Sequence, residues 1–468
     1  MSAESGGRRG VPLHTKILLG LVLGAGAGVA ANLLAGGAPW VETVNTYVAQ
    51  PVGQIFLRML FMVVVPLVFT TLALGVAGLG DLRSLGRIGG KTFAFFLFTT
   101  FLAVMLGLTA ANVFQPGAGL DPTVREGLLA EYATQAADRV AASETTGFGI
   151  STFVNIVPRN FVGAAASGDM LGIIFFTLMF GVALTRLPKH VAYPVIRVLE
   201  GVAQAVIEII GFAMKLAPYG VAGLIFSVTS QFGFDVLRSL GLYVVMVLTA
   251  LAIHQFVVLT ALARIFTGIG PRVFLRRCRY LMITAFSTSS SNATMPTTLR
   301  TAEEEFGVPR EVSGFVVPLG ATMNMNGTAL FEGMTVLFLA QVFGVDLSLG
   351  MQAVVVVMSI VTAIGAAGVP SGSIPLLVMV LIMVGVPGEA IALVLGVDRI
   401  LDMARTVPNV TTDLLTSVVV ARSEGYVLVP SRAPDFSSAA AAEKAHLPGD
   451  VQPHGEPVSL VDMASPER

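Results

Sequence analysis

Charge is scarce in this chain. Only 12% of its 468 residues are Asp, Glu, Lys or Arg, about half of the roughly 25% found in a soluble globular domain, and this excludes an ordinary cytosolic enzyme. Neither sign dominates: 28 basic residues stand against 29 acidic ones, for a formal charge of −1. Without a basic excess there is nothing to hold a nucleic acid. Cysteine is nearly absent as well. The single Cys278 rules out an internal disulfide framework and any multi-cysteine metal site. What the chain has instead is apolar surface: 54% of its residues are hydrophobic and its mean hydropathy is +0.81. Its 50 glycines, in so apolar a setting, point to closely packed or broken membrane helices, because Gly lets backbones approach in lipid. The composition is that of an all-α polytopic membrane protein.

A spanning helix needs about 20 apolar residues to cross about 30 Å of hydrocarbon. Runs of that length cover 17–35, 52–79, 92–114, 147–186, 191–228, 239–267, 311–345 and 351–420. Several exceed one crossing and must contain breaks or re-entrant segments. Arg8 and Arg9 ahead of the first run imitate the start of a signal peptide, but a first span among many is the simpler reading. Basic residues then set the orientation. Arg8, Arg9 and Lys16 precede the first span, Arg83, Arg87 and Lys91 follow the second, and Arg186 and Lys189 come next. Arg264, Arg272, Arg276, Arg277 and Arg279 form the densest group, whereas 36–51 has no Lys or Arg and 115–146 has only Arg125 and Arg139. The N-terminus, the 268–280 loop and the C-terminus are therefore expected in the cytoplasm. From Arg422 onward the chain is polar and without apolar period, which predicts a disordered tail.

The second half carries two blocks, each opening on a small, polar, turn-like stretch: FSTSSSNATMP at Phe286–Pro296 and GAAGVPSGS at Gly365–Ser373. Each is followed by a helical segment with polar residues at mid-depth, NMNGT at Asn324–Thr328 and DRILDMARTVPNVTTD at Asp398–Asp413. Polar interruptions in corresponding places point to an internal repeat with a binding site between its copies.

Asp398, Asp402, Arg405, Asn409 and Asp413 recur at spacings of 4, 3, 4 and 4, which places them on one helical face. Ionisable groups at mid-membrane cost at least a few kcal/mol, so this face must meet protein, water or ligand. An internal ion-pair ladder would satisfy it. So would a ligand with charges of both signs, because Asp402 suits an ammonium and Arg405 offers a fork of donors to a carboxylate. Five polar groups beside two broken segments favour the ligand. Pro408, inside the same helix, cannot donate to the carbonyl of Ala404; a tolerated kink and an exposed carbonyl beside the site both fit.

Asn-x-Asn-Gly is a poor helix, and unwound backbone survives in a membrane only when buried in protein or lining a cavity. The freed carbonyls and the amides of Asn324 and Asn326 would make an oxygen-rich nest for a hard cation such as Na⁺, although a Gly-mediated helix crossing fits equally well. Ser289, Ser290, Ser291 and Asn292 would form the tip of a segment that dips into the membrane, where hydroxyls and free amides suit a carboxylate. Gly368, Pro370, Gly372 and their neighbours, Ser373 among them, form an opposing tip. Glu332, one turn after Thr328, is a candidate proton carrier or a core hydrogen-bonding group, and His254 reads better as a core histidine with a satisfied partner than as a relay. A serine hydrolase built on Ser371 and His254 lacks any supporting motif. A channel with the tips as its filter fits a charge-complementary pocket less well than an occluding carrier does.

With these residues in view, the chain resembles the dicarboxylate/amino acid:cation symporters, the glutamate-transporter family, from about Pro12 to Arg422. SSSNATMP is similar to the family's serine-rich first hairpin tip, NMNGT to its NMDGT, AAGVP to its second hairpin tip, and DMARTVPNVTTD to its last-helix signature. The resemblance implies a homotrimer in the inner membrane, each protomer having eight spanning helices, two re-entrant hairpins, inverted repeats, a scaffold and an elevator-like transport domain. The implied divisions are a tail over 1–13, scaffold helices 1–2 over 14–80, helix 3 of the transport domain over 81–114 and an extracellular loop over 115–146. Scaffold helices 4–5 over 147–232, the remaining transport domain over 233–421 and a tail over 422–468 complete them. Arg405 would take the substrate's side-chain carboxylate, Asp402 its amino group, and Thr406 and Asn409 its main-chain end. Ser291, Thr328 and Val369 match further substrate contacts. Gly320, Asn324, Asn409 and Asp413 match one sodium site, the backbone near Thr322 and Ile364 a second, and Thr99 and Thr100 part of a third.

Here the sequence departs from the family. The NMDGT aspartate is Asn326 and a tyrosine is replaced by Phe96, which removes a charge and an oxygen and should weaken that cation site. Glu332 resembles the glutamate that carries protons in animal relatives. The expectation is a non-enzymatic importer of L-aspartate or L-glutamate, coupled to Na⁺ and/or H⁺ and needing no organic cofactor. A C4-dicarboxylate or neutral amino acid symporter of the same family is the alternative, and an ion channel the lesser one.

Overall fold

The computed structural model describes residues 13–35, 38–84, 86–119, 157–167, 169–366 and 368–428. The N-terminal tail, most of the 115–146 loop and the expected disordered tail beyond 428 lie outside the described residues. Among the described residues every regular element is helical. In order these are α1 (Leu13–Ala35), α2 (Pro39–Val44), α3 (Gln50–Met62), α4 (Val64–Ser84), α5 (Arg87–Phe114), α6 (Phe161–Ser167), α7 (Met170–Arg186), α8 (Lys189–Phe232), α9 (Phe234–Ile253), α10 (Leu259–Thr267), α11 (Pro271–Thr288), α12 (Ser291–Arg300), α13 (Arg310–Met323), α14 (Asn326–Val342), α15 (Leu349–Gly365), α16 (Ile374–Met383) and α17 (Ala392–Ser423). Among the described residues five stretches are long and apolar enough to cross a membrane: Thr15–Leu34, Pro39–Gly78, Arg87–Phe114, Lys189–Phe232 and Phe234–Thr267. Large apolar side chains point outward from several of them, among them Leu23, Leu34, Phe212, Tyr219 and Phe256. That is the surface of a multi-pass membrane protein.

One group of helices packs on α8, which takes α1 along its length together with α3 and α4, while α7 lies on α4. Gly20 and Gly24 make the α1–α8 seam possible. A side-chain carbon built on Gly24 would lie 2.9 Å from Ala222 Cα, and one on Gly20 3.1 Å from the Pro218 carbonyl carbon. Such main-chain approach is what small residues supply between membrane helices. With 44 residues, α8 extends roughly 66 Å at 1.5 Å per residue, about twice the hydrocarbon thickness. Pro194 and Pro218 lie inside it without ending it.

The second group surrounds α14 and α17. Every residue of α14 except Gln341 is buried, with α5, α15 and α17 packed around it. The run read as 311–345 is two helices separated at Asn324 (φ −134°, ψ 69°) and Met325 (φ −97°, ψ 61°), where Asn and Gly outweigh the helical hydrogen bonds that are lost. The run read as 351–420 resolves into α15, a non-helical tip, α16, a short 3₁₀ turn at Gly388–Ile391 and α17.

Two helix–turn–helix hairpins result. In the first, α11 ends with Ser289 in the left-handed region at φ 52°. Ser290 then caps α12 by accepting from the Ala293 N–H at 3.1 Å. In the second, α15 runs into a tip that contains Ser371 at φ 59°, and α16 follows. The tips touch: the Gly368 carbonyl accepts from Ser290 Oγ at 2.6 Å and from the Asn292 N–H at 3.1 Å.

The cytoplasmic expectation for the end of α17 meets a basic clamp. Glu424 receives Arg87 and Lys91 at 2.6 Å each, and Arg422 donates to the Thr267 carbonyl. The start of α5, the end of α10 and the end of α17 are thereby tied together.

Candidate binding cavity

The polar face of α17 points inward along its whole length. Asp398, Asp402, Arg405, Asn409 and Asp413 are all buried, Arg405 to 1% exposure. Arg405 donates to Asp402 Oδ1 through Nη2 at 2.8 Å and Nε at 3.0 Å, and its Nη1 lies 3.2 Å from Asp398 Oδ1. Its guanidinium also sits 4.3 Å from the centroid of the Phe331 ring, a cation–π position. Arg399, half-buried, approaches Asp402 Oδ2 at 3.6 Å. Two carboxylates thus face two guanidinium groups, and the cluster balances within itself. The internal ion pair considered as an alternative to a ligand is present.

A cavity is present too. It is small and partly open, and lies between the two hairpin tips, the break before α14 and the middle of α17. Nine of the ten substrate-contact residues inferred from sequence line it: Ser289, Ser291, Thr328, Val369, Ser373, Asp402, Arg405, Thr406 and Asn409. Ser290 is not among the lining residues, because capping α12 and bonding to Gly368 take up its hydroxyl. Met325 and Ala366 line the cavity and were missed. Met325 sits between the two asparagines of the unwound stretch, so the broken helix itself was the signal; Ala366 carries no chemical signal.

The second hairpin is held onto the charged cluster by one residue. The Ser371 N–H donates to Asp402 Oδ2 at 3.1 Å, and Ser371 Oγ to Asp398 Oδ2 at 3.3 Å. Asp402 therefore meets Arg405, Arg399 and the hairpin tip at once, and any cationic group that enters must compete with these.

The residues read as cation ligands fall into three places. Asn324 Nδ2 donates to Asp413 Oδ1 at 2.7 Å, and Asn324 Oδ1 is buried without a partner. Gly320 lies against the same carboxylate, with a side-chain carbon built there only 2.6 Å from Asp413 Cγ. Asn409 uses its carbonyl oxygen to hold the Gly327 N–H at 2.8 Å and its amide to reach Thr328 Oγ1 at 3.2 Å. A buried carboxylate and an orphaned amide oxygen are donors of the kind that hard cations take. Thr100 donates to Asn326 Oδ1 at 2.8 Å, whereas Thr99 bonds only to carbonyls of its own helix, at Phe95 and Phe96. Thr322 is exposed and bonds back to Leu319, and Ile364 faces Gly75 of α4. No cluster of three His, Cys, Asp or Glu exists among the described residues, so the nest is built from amides, hydroxyls and single carboxylates.

Glu332 is fully buried on α14 and is bonded to Thr362 on α15. His254 departs from expectation: it is fully buried, yet neither ring nitrogen has a hydrogen-bond partner. It opens a π-helical turn, His254–Val258, that packs on α9, α10 and α17, and none of these offers it a donor or acceptor. The reading of a satisfied core histidine is corrected accordingly.

Fold and cavity define a class, a multi-pass membrane protein with a two-signed site between helical hairpins. Comparison with known proteins gives the family. Residues 13–423 match the sodium:dicarboxylate symporter family, and the chain belongs to it. It is 37% identical over 417 residues to a proton/sodium-glutamate symport protein of Bacillus caldotenax, covering 89% of this chain and 96% of that one. It is also 37% identical over 413 residues to a proton/glutamate-aspartate symporter of Escherichia coli, covering 88% and 93%. A C4-dicarboxylate transport protein of Bacillus subtilis is 34% identical over 380 residues, covering 80% and 87%. The family is one of transporters rather than enzymes.

Proposed function

We propose that the protein is a secondary active symporter that imports an acidic amino acid, L-aspartate or L-glutamate, coupled to Na⁺, H⁺ or both. The observation that carries this reading is Arg405, buried at the wall of the cavity with an aspartate on either side. A lone guanidinium there would cost several kcal/mol. The two aspartates support it while the cavity holds no substrate, and a substrate carrying both an ammonium and an extra carboxylate can replace those pairs. Its side-chain carboxylate takes the donor fork of Arg405. Its ammonium takes Asp402, and Thr406 and Asn409 hold its main-chain end, with Ser291, Thr328, Val369 and the second tip closing over it.

Cation binding follows from the same electrostatics. Asp413 is buried with Asn324 as its partner, and a monovalent cation shared by Asp413, Asn324, Asn409 and the Gly320 carbonyl offsets its charge. That cation would organise the unwound backbone that also supports Asn409, which links cation occupancy to substrate affinity. With Asn326 in place of an aspartate, the position near Thr99 and Thr100 holds a cation more weakly, and Glu332 is the group placed to carry a proton instead.

We assign α1–α4 and α6–α8 to a scaffold, and α5 with α9–α17 to a transport domain that carries the site across the membrane by an elevator motion. The hairpins α11–α12 and α15–α16 are re-entrant and add to eight spanning segments. Three protomers assemble through their scaffolds in the inner membrane, with both termini cytoplasmic. A C4-dicarboxylate, as named for one relative, is the competing substrate, but without an amine it would leave Asp402 unused. The deciding experiment is radiolabelled uptake into proteoliposomes with competing aspartate, glutamate, succinate and serine under imposed sodium or proton gradients. Succinate outcompeting aspartate would reject the substrate assignment. A lack of uptake from sodium-free buffer under a proton gradient would reject coupling to protons alone, and uptake in sodium that is indifferent to the proton gradient would reject proton coupling altogether.

A further inference from the structure

Thr362 stands on α15, one turn before the second hairpin tip, and is fully buried. Its hydroxyl lies within hydrogen-bond reach of two acceptors, Glu332 on α14 and the Ser359 carbonyl at 3.1 Å. A threonine hydroxyl carries one hydrogen. Both bonds are made together only when Glu332 is a neutral acid that donates to the Thr362 oxygen, which leaves the Thr362 hydrogen for Ser359. Once Glu332 is a carboxylate, the Thr362 hydrogen must turn to it and the bond to Ser359 lapses. Glu332 has no second way to be satisfied, because its Oε1 is buried without a partner.

The surroundings leave few other groups to respond. Of the elements packed on α14, α17 brings Arg405, Asp398 and Asp402, and Arg405 acts on Glu332 through space. From α9 comes Tyr243, whose hydroxyl pairs with Thr335 at 2.7 Å. The segments of α5, α15 and α16 beside it carry no ionisable side chain; Arg87 and Lys91 lie at the far start of α5.

We propose that Thr362 is a positioning residue that ties the proton on Glu332 to the arm of the second hairpin, so that the proton state of the transport site is read by the element that closes over it. The inference rests on the reading of Glu332 as the proton carrier. It extends that reading to a residue that touches neither substrate nor cation and gives the proton a mechanical route to the hairpin.

The test is radiolabelled aspartate uptake into proteoliposomes over a range of external pH, for the unaltered protein, Thr362→Val, Thr362→Ala, Thr362→Ser and Glu332→Gln. A hydrogen bond to a charged group is worth roughly twice one between neutral groups. On loss of the hydroxyl the carboxylate form loses its only bond and the acid form two weaker ones. In Thr362→Val and Thr362→Ala alike the pH of half-maximal uptake therefore moves upward by roughly a few tenths of a unit, with about 0.7 as the upper bound, and Thr362→Ser restores it. Glu332→Gln flattens the profile. If Glu332→Gln leaves the profile unchanged, the proton-carrier reading fails and this inference with it. If Glu332→Gln flattens the profile but the two hydroxyl-free variants keep the original midpoint, even at lowered uptake, then Thr362 is only structural and the inference alone is overturned.

Discussion

Replacing Arg405 by alanine is the most direct test of substrate recognition. Arg405 makes two hydrogen bonds to Asp402 and an ion pair with Asp398. Its removal leaves those carboxylates with Arg399 at 3.6 Å and the Ser371 tip as their remaining partners. Truncating one partner of a buried charge pair costs about 2–5 kcal/mol of binding. At about 1.4 kcal/mol per tenfold, aspartate affinity falls by roughly thirtyfold to several-thousandfold. Neutral amino acids lose nothing at this position and gain a site in which Asp402, released from Arg405, is freer to take their ammonium, so serine uptake rises. Competition of serine and aspartate against labelled substrate measures both effects. Sodium binding to the same preparation separates lost recognition from lost folding, since breaking a buried pair also destabilises by about 3–5 kcal/mol. Aspartate uptake that survives while serine uptake does not rise refutes the assignment of Arg405.

Three further outcomes follow from the geometry. Asn326→Asp returns a negative charge beside the Thr100 hydroxyl and lowers the sodium concentration for half-maximal uptake severalfold; an unchanged sodium dependence counts against a cation position there. Gly320→Ala places a methyl against Asp413 Cγ, 2.6 Å away, and should lower sodium affinity at least tenfold, while a variant with native sodium dependence removes Asp413 from that site. Glu424, bonded to Arg87 and then to Lys91, is pulled from its ordinary 4.5 down to about 2. A depressed carboxyl stabilises the fold above its ordinary value, and that contribution is lost as pH falls through about 2. The gap in melting temperature between the native protein and Glu424→Gln should therefore hold steady from neutrality to about pH 5 and close only in stronger acid.

The polar face of α17 was legible because five polar residues at helical spacing have no other tolerable place in a membrane segment. The hairpin tips were legible for a related reason: Ser, Gly and Pro in the middle of apolar runs cannot continue a helix cheaply. Spacing put Asp398, Asp402 and Arg405 on one face but could not reveal that both aspartates would also hold Ser371, which comes from another element. The Thr362–Glu332 bond was hidden likewise, because a threonine in an apolar helix carries no directional signal. Pro194 and Pro218 are strong breakers in water, yet a membrane helix absorbs them where neighbours satisfy the freed carbonyls. His254 shows that burial can be read from a sequence without its hydrogen-bonding state.

The glycine seam between α1 and α8 limits where the molecule can yield. Helices that meet through side chains can shift by exchanging rotamers, but two main chains in contact have no soft layer to deform, and any glide along the seam drives carbonyl into carbon. Any displacement of one group of helices past the other would have to occur elsewhere, with α1 and α8 travelling, or staying, as a single beam.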